Sequence, residues 1–446
     1  MCQCSRCVFA TRVSRGRSRG RSGSSGRRGL PDIRASRLTL ALLVVLAGVT
    51  AATVAVLRGN DERPEAPRAG ECPRGVSPQS NDTAAPADLR QGSGPTGAQG
   101  TKPPPQPVVG IHATLRSLPA AQVEANARAL RQYGFTHARE DFTWAEIEPR
   151  PGVWCWSRFD NLVAATARAD LRLVAILNAP PRWATPKLTA PPVSERARGA
   201  YAEFARRVVE RYGSRGTFWE RNPSVPRKPV QYFDVWNEPY VAASWGDGLP
   251  DPAGYARMFT AVVQAARGED PDARFMLEAD LSVLGRPDFT PYLEPLLAAL
   301  PNVAEDVDVV SVHPYALDGS GPGTCPGGPP AARRSSVCRL LDIRRVVNAH
   351  GGSAIPIWIT EIGWSTAPRA EGAVDDASQA AYTRELSELL RGRWRRTAEG
   401  VFWYAFSTPE ASPSRREDWF GLVHPDGAPK PAWRGLVAEI AGRRRP

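Results

Sequence analysis

From about residue 106 onward the chain alternates between two rhythms. Short apolar runs of strand length recur eight times: Val108–Ala113, Thr136–Arg139, Leu171–Leu177, Val230–Val235, Arg274–Leu277, Val307–Val312, Ile355–Thr360 and Gly400–Phe406. Several are apolar at consecutive positions instead of alternate ones, the pattern of strands covered on both faces. Between them, apolar residues return at helical spacing. Val123, Ala127 and Leu130 precede a stop at Gly134, Tyr201, Phe204 and Val208 follow a cap at Ser194, and Tyr382, Leu386 and Leu389 form a third stripe. Aromatic residues in register with such a face are core residues.

Eight β/α repeats over residues 106–442 predict an α/β fold, a (β/α)8 or TIM barrel. The competing doubly wound sheet would carry a glycine-rich turn after its first strand, and none follows Val108–Ala113. In a barrel the chemistry gathers where strands end and loops begin on one face. That directs attention to the residues closing each apolar run.

The part before the barrel has a different composition. Ten of the arginines and a single acid lie before residue 38, so that segment supplies +9 of the formal net charge of +11 and the remainder is nearly neutral. Residues 1–37 therefore read as a disordered basic tail. Residues 38–57 are uncharged and rich in Leu, Val and Ala, long enough for one membrane-crossing helix. The positive-inside rule leaves the tail cytoplasmic and the barrel outside the cell membrane. The alternative is a cleaved signal segment, with small residues at Val49-Thr50-Ala51, and a secreted domain. Residues 58–105, rich in Gly, Pro, Ser and Ala, read as an extended spacer. A basic tail directly before an apolar span is explained by topology or anionic lipid, so no nucleic-acid partner is expected.

The cysteines divide the same way. Cys2, Cys4 and Cys7 precede the apolar span and do not make a closed four-ligand zinc pattern. Cys72, Cys155, Cys325 and Cys338 follow it and are free to oxidise. Cys325 and Cys338 flank a Gly/Pro-rich loop and are the disulfide candidate; Cys72 with Cys155 is arithmetically allowed.

Two glutamates carry the candidate chemistry. Trp236-Asn237-Glu238-Pro239 closes the fourth run, and Glu361 follows Ile355-Pro-Ile-Trp-Ile-Thr at the seventh, before Gly363-Trp364. Cleaving a sugar bond with retention needs two carboxyl groups about 5–5.5 Å apart, one protonated and one ionised. Glu238 beside Trp236 suits the protonated acid/base, because an apolar setting disfavours its charge. Glu361 suits the nucleophile. Arg139, at the end of the second run, either pairs with Glu361 and lowers its pKa or pairs with Glu140 or Asp141 on the rim. Asn237 and Asn178 could bind sugar hydroxyls, Tyr315 could donate to Glu361, and His313 either lines the pocket or is a satisfied structural group.

All thirteen tryptophans lie after residue 140. Trp144, Trp183, Trp364 and Trp403, at strand ends, are candidate platforms for the flat faces of sugars. Trp219, Trp394 and Trp433 read as packing or surface residues. The five histidines lack ligand spacing and no Gly-x-Ser-x-Gly elbow is present, so no metal, cofactor or serine triad is expected.

Taken together, Arg139 with Trp144, the Trp236-Asn237-Glu238-Pro239 run, His313-x-Tyr315, Glu361 with Gly363-Trp364, and Trp403-Tyr404 resemble the clan A glycoside hydrolases, most closely families 39 and 5. Phe420-Gly421-Leu422, Asp426-Gly427 and Lys430-Pro431-Ala432 resemble the closing segment of that fold. The third run departs, ending in Asn178 where many family 5 enzymes carry histidine. The resemblance implies a retaining barrel with its acid/base after strand four and its nucleophile after strand seven, the places of Glu238 and Glu361. It implies an oligo- or polysaccharide substrate and hydrolysis of a β-glycosidic bond. A transglycosylase using the same residues, or a glycan-binding protein without activity, are the alternatives.

Overall fold

The computed structural model describes residue 72 and residues 108–186, 189–245, 249–333 and 336–442. The expected basic tail, membrane segment and, apart from Cys72, the spacer lie outside the described residues. Among the described residues no helix is long and apolar enough to cross a membrane.

Eight parallel strands close into a barrel in chain order: β1 (Val108–His112), β2 (His137–Thr143), β3 (Arg172–Asn178), β4 (Tyr232–Val235), β5 (Arg274–Glu278), β6 (Val309–Val312), β7 (Ile357–Ile362) and β8 (Gly400–Trp403). The expected barrel is thus present, with two shifts in strand ends that matter. β2 runs four residues past Arg139, so Arg139 stands inside the lumen and not at a rim. β7 includes Glu361, which was expected just beyond it.

The helices form where the periodicity placed them. The helix Glu195–Tyr212 starts at Ser194, whose hydroxyl accepts the Ala197 N–H at 3.4 Å, and buries Tyr201, Phe204 and Val208 completely. Burying one such aromatic ring stabilises the fold by roughly 2–3 kcal/mol. The helix Ala120–Tyr133 stops at Gly134, whose φ of 105° is costly for any residue with a Cβ. Of the third stripe, on Asp376–Arg391, Leu386 is buried while Tyr382 and Leu389 are half-buried against the same core.

Alternation along the strands sorts residues between lumen and helix layer. Val174, Met276, Val309, Trp358 and Phe402 form a separate apolar plug inside the barrel. Two positions beyond Tyr232, Met276 and Val309 the strands β4, β5 and β6 present the same inward face, which places Asp234, Glu278 and Ser311 directly above the plug. Two helix tyrosines secure the upper ends of the strands from outside. The Tyr255 hydroxyl donates to the Val235 carbonyl at 2.6 Å and accepts the Glu278 N–H at 3.2 Å, and Tyr201 donates to the Leu177 carbonyl. The strand ends that carry the site are thereby held without extra ladder partners.

Candidate active site

Strict alternation would point Glu361 out of the barrel, because Trp358 and Thr360 face in. The ladder to β8 is interrupted here: Ile359 pairs with Val401 but Ile362 pairs with Trp403, leaving two residues of β7 opposite one of β8. This bulge re-aims Glu361 into the lumen, as bulges beside functional sites commonly do. Gly363 follows, where a Cβ would collide with the Tyr404 carbonyl.

Glu238 reaches the same lumen by a different device. After β4 the chain turns through two left-handed residues, Trp236 at φ 82° and Glu238 at φ 50°. Each such residue costs on the order of 1–2 kcal/mol, so the turn must be held by its surroundings. Trp236 packs edge-on against Tyr201 in the helix layer, 5.8 Å between centroids. The Asn237 side-chain oxygen accepts from Arg139 Nη2 at 3.0 Å, and the Glu238 N–H donates to Glu278 Oε1 at 2.6 Å.

Arg139 is the hub of this lumen and is fully buried. It donates through Nη1 to Glu361 Oε1 at 2.5 Å, through Nε and Nη2 to Asp234 Oδ2 at 3.2 and 3.0 Å, and through Nη2 to Glu278 Oε2 at 3.2 Å. Burial penalises its charge, but the three carboxylates more than compensate and raise its pKa further. The rim alternatives do not partner it: Glu140 accepts the backbone N–H groups of Leu115 and Arg116, and Asp141 accepts from Asn178 Nδ2 at 2.6 Å.

His313, just beyond β6, places Nδ1 3.0 Å from Glu238 Oε1, 3.5 Å from Glu278 Oε1 and 3.7 Å from Glu361 Oε2. Burial disfavours the imidazolium, yet Glu278, Glu361 and the contact with Glu238 lift its pKa to about 9. The Tyr315 hydroxyl donates to Glu361 Oε2 at 2.9 Å.

The two glutamates accordingly take opposite proton preferences. Burial alone would raise Glu361, but the positive charges of His313 and Arg139, with His112 and the Tyr315 hydrogen bond, bring it down to about 2. Glu238 is raised, by burial first and by Glu361, against the opposing pull of His313. One ligand atom from each of Glu238, His313 and Glu361 lies within 4.8 Å of the others. A cation would fit that spacing, but it would have to compete with Arg139 and a protonated His313 for the same oxygens.

No family model matches the sequence. Among solved structures, the chain is similar to a family 39 glycoside hydrolase from the gut symbiont Bacteroides cellulosilyticus WH2, at 24% identity and a TM-score of 0.58 over 76% of this chain and 64% of that one. It is also similar to GH5_18 from Streptomyces cattleya in complex with GlcNAc, at 17% identity and a TM-score of 0.54 over 76% and 80% of the two chains. A glucosidase from Croceicoccus marinus matches at 13% identity and a TM-score of 0.54 over 77% and 69%. The chain has the fold of the clan A glycoside hydrolases. A curated relative, the beta-galactosidase BgaA of Thermus sp, is 32% identical over 117 residues, 21% of this chain and 18% of that protein. The chain thus spans less than a fifth of that relative and 64% of the family 39 structure.

Within this glycoside hydrolase fold, Glu238, Glu361, Arg139, Asn237, His313 and Tyr315 converge. Asn178 sits at the top of β3, its Oδ1 buried without a protein partner. The tryptophans divide differently from expectation. Trp144 is fully buried, stacked on Phe204 with its indole N–H on Glu148 Oε2 at 2.8 Å, and is a core residue. Trp364 is buried too, donating to the Ser320 carbonyl at 3.0 Å, where it fixes the loop after β6. Trp403 follows the inward Phe402 and so points into the helix layer. Trp183 stays half-buried, edge-on to Trp144 and donating to the Glu148 carbonyl at 3.1 Å. Trp219, Trp394 and Trp433 are buried packing residues.

Four residues of the lumen carry no role in the sequence analysis, Tyr404 entering it only within the Trp403-Tyr404 resemblance. Glu278 and Asp234 are its extra carboxylates. Tyr404 takes the inward position that Trp403 was expected to fill, its ring 5.1 Å from His112 and 6.3 Å from Tyr315. His112 closes β1, and its Nδ1 is buried without a protein partner. Inward parity, counted from Gly110 and Phe402, was the available signal for both. The Cys325–Cys338 disulfide is present with 5.4 Å between Cα atoms, and Cys72 also pairs with Cys155 at 5.6 Å.

Proposed function

We propose that this protein is a retaining β-glycosidase in which Glu238 is the acid/base and Glu361 the nucleophile. The observation that carries the reading is the pair's spacing combined with its opposed proton preferences. Carboxylate atoms within 4.8 Å of each other suit double displacement, whereas inversion needs about 6.5–9.5 Å to admit a water between them.

In the first step Glu238 gives its proton to the glycosidic oxygen as that bond breaks, while Glu361 bonds to the anomeric carbon. Glu238, now ionised, then takes a proton from water, whose oxygen attacks the same carbon and releases Glu361. Arg139 and His313 match the charge on Glu361 before it bonds to the sugar and again as it is released, and Tyr315 keeps one of its oxygens oriented. Asn237 and Asn178 supply contacts to sugar hydroxyls, Asn178 through its unpartnered oxygen. Tyr404 and the half-buried Trp183 are the aromatic surfaces left for stacking. The substrate is an oligo- or polysaccharide, and the two disulfides support an exported domain, anchored or secreted.

The test uses aryl β-glycosides with azide. Glu361→Ala and Glu238→Ala should each lower turnover by about 10²–10⁴-fold or more. Azide should rescue Glu238→Ala with a β-glycosyl azide and Glu361→Ala with the α anomer. Retained turnover in either variant, or the reversed pair of products, would overturn the assignment.

A further inference from the structure

Glu278 is a third carboxylate beneath the two glutamates, and double displacement leaves it without a task. It is completely buried at the end of β5. Three of its neighbours explain where it acts. Oε1 accepts the Glu238 N–H at 2.6 Å, Oε2 accepts from Arg139 Nη2 at 3.2 Å, and His313 Nδ1 lies 3.5 Å away. Asp234 from β4 is close enough for its charge to oppose that of Glu278, and the Tyr255 hydroxyl accepts the Glu278 backbone N–H at 3.2 Å from the outer layer. A buried carboxylate in such a place is no stabiliser in itself, since apolar residues of similar volume commonly do as well or better.

Its position answers a specific need. Glu238 sits at φ 50°, a conformation its own backbone disfavours; its carbonyl accepts the Val241 N–H at 3.1 Å, while its own N–H lies outside any helix or ladder. The Glu238 N–H donates to Glu278, and the Glu238 carboxylate hydrogen-bonds His313, whose Nδ1 also lies 3.5 Å from Glu278 Oε1. We propose that Glu278 is a positioning residue for the acid/base: by anchoring the Glu238 N–H and His313 together, it holds the Glu238 carboxyl where the leaving oxygen will be. Glu278 touches no substrate and transfers no proton in the reaction. The inference rests on Glu238 being the acid/base.

Leaving-group dependence separates this role from general support of the fold. Glu278→Asp keeps the charge but withdraws the carboxylate from the Glu238 N–H by about one C–C bond, roughly 1.5 Å. An unactivated phenyl β-glycoside needs acid help to depart and a dinitrophenyl β-glycoside does not. For Glu278→Asp, kcat/KM on the phenyl substrate should fall about 10- to 100-fold more than on the dinitrophenyl substrate. Glu278→Gln, which keeps an acceptor oxygen for the Glu238 N–H but sets an amide against Arg139, is the second variant if the first does not fold. Equal losses on both substrates in a folded variant, or no loss, would overturn the proposal. Glu238→Ala measured alongside shows whether the underlying reading stands: if it loses phenyl glycosidase activity selectively and Glu278→Asp does not, only the role of Glu278 fails.

Discussion

Replacing Arg139 with Met removes the guanidinium that pairs with Asp234, Glu278 and Glu361 in the buried lumen. Met reproduces only the aliphatic stem, so the perturbation is loss of the charge together with the volume of the buried guanidinium group. Three of its four carboxylate contacts are at 3.2 Å or less to fully buried partners, and the fourth, to Glu361, is the shortest at 2.5 Å. Breaking a buried ion pair from one side costs about 3–5 kcal/mol, because the partner is left charged without compensation. Unfolding a domain of about 335 residues carries an entropy near 0.7 kcal/mol/K, so the midpoint should fall by about 4–7 °C. The pH dependence has a definite sign. Glu361 is depressed from 4.5 to about 2 in the folded protein, so its contribution is complete above pH 4.5 and is lost as pH falls towards 2. Without Arg139 that contribution shrinks, and the gap between wild type and variant should be full at pH 7 and narrow below pH 4.5. Thermal melts at pH 7 read the midpoint, and denaturant titrations followed by near-ultraviolet circular dichroism at pH 7 and pH 4 read the free-energy gap. A loss under about 1 kcal/mol at pH 7, the value of an exposed pair, or a gap that widens on acidification, would refute the view of Arg139 as the lumen's compensating charge.

Tyr315→Phe deletes the hydroxyl that donates to Glu361 Oε2. A hydrogen bond to a charged group is worth about 1.5–3 kcal/mol, so the acid limb of kcat/KM should move up by about one to two pH units; an unmoved limb would contradict it. Replacing Cys325 and Cys338 together by Ser opens a loop of sequence separation 13 and should cost about 3 kcal/mol in denaturant titrations. An unchanged midpoint would show that the loop after β6 is held by its other contacts, those to Trp364 and Arg416.

The barrel was legible because eight buried parallel strands leave apolar runs that no surface constraint interrupts. Glu238 and Glu361 were legible because each closes such a run within a distinctive string of aromatic and polar residues. Glu278 was not, since the fifth run was ended at Leu277 and Glu278-Ala279-Asp280 then reads as an ordinary polar loop. Only the closed barrel brings that carboxylate under the backbone of Glu238, 40 positions away in sequence. The bulge at Thr360 and Glu361 leaves no compositional trace either, because it is a fact about pairing with β8. The tryptophans show the same limit: a strand-end position says where an indole starts, while parity and neighbours decide whether it faces a sugar, as Trp144 against Phe204 and Trp403 beside Phe402 demonstrate.

The central claim is that Glu361 forms a covalent bond to the sugar while Glu238 manages the proton. The most direct measurement is to incubate the protein with dinitrophenyl 2-deoxy-2-fluoro-β-glycosides, which slow both steps, and to map any adduct by peptide mass spectrometry. The account predicts a fluoroglycosyl group on the peptide containing Glu361, absent from Glu361→Ala. An adduct on another carboxylate, or turnover of the parent glycosides with an inverted product and no adduct, would contradict it.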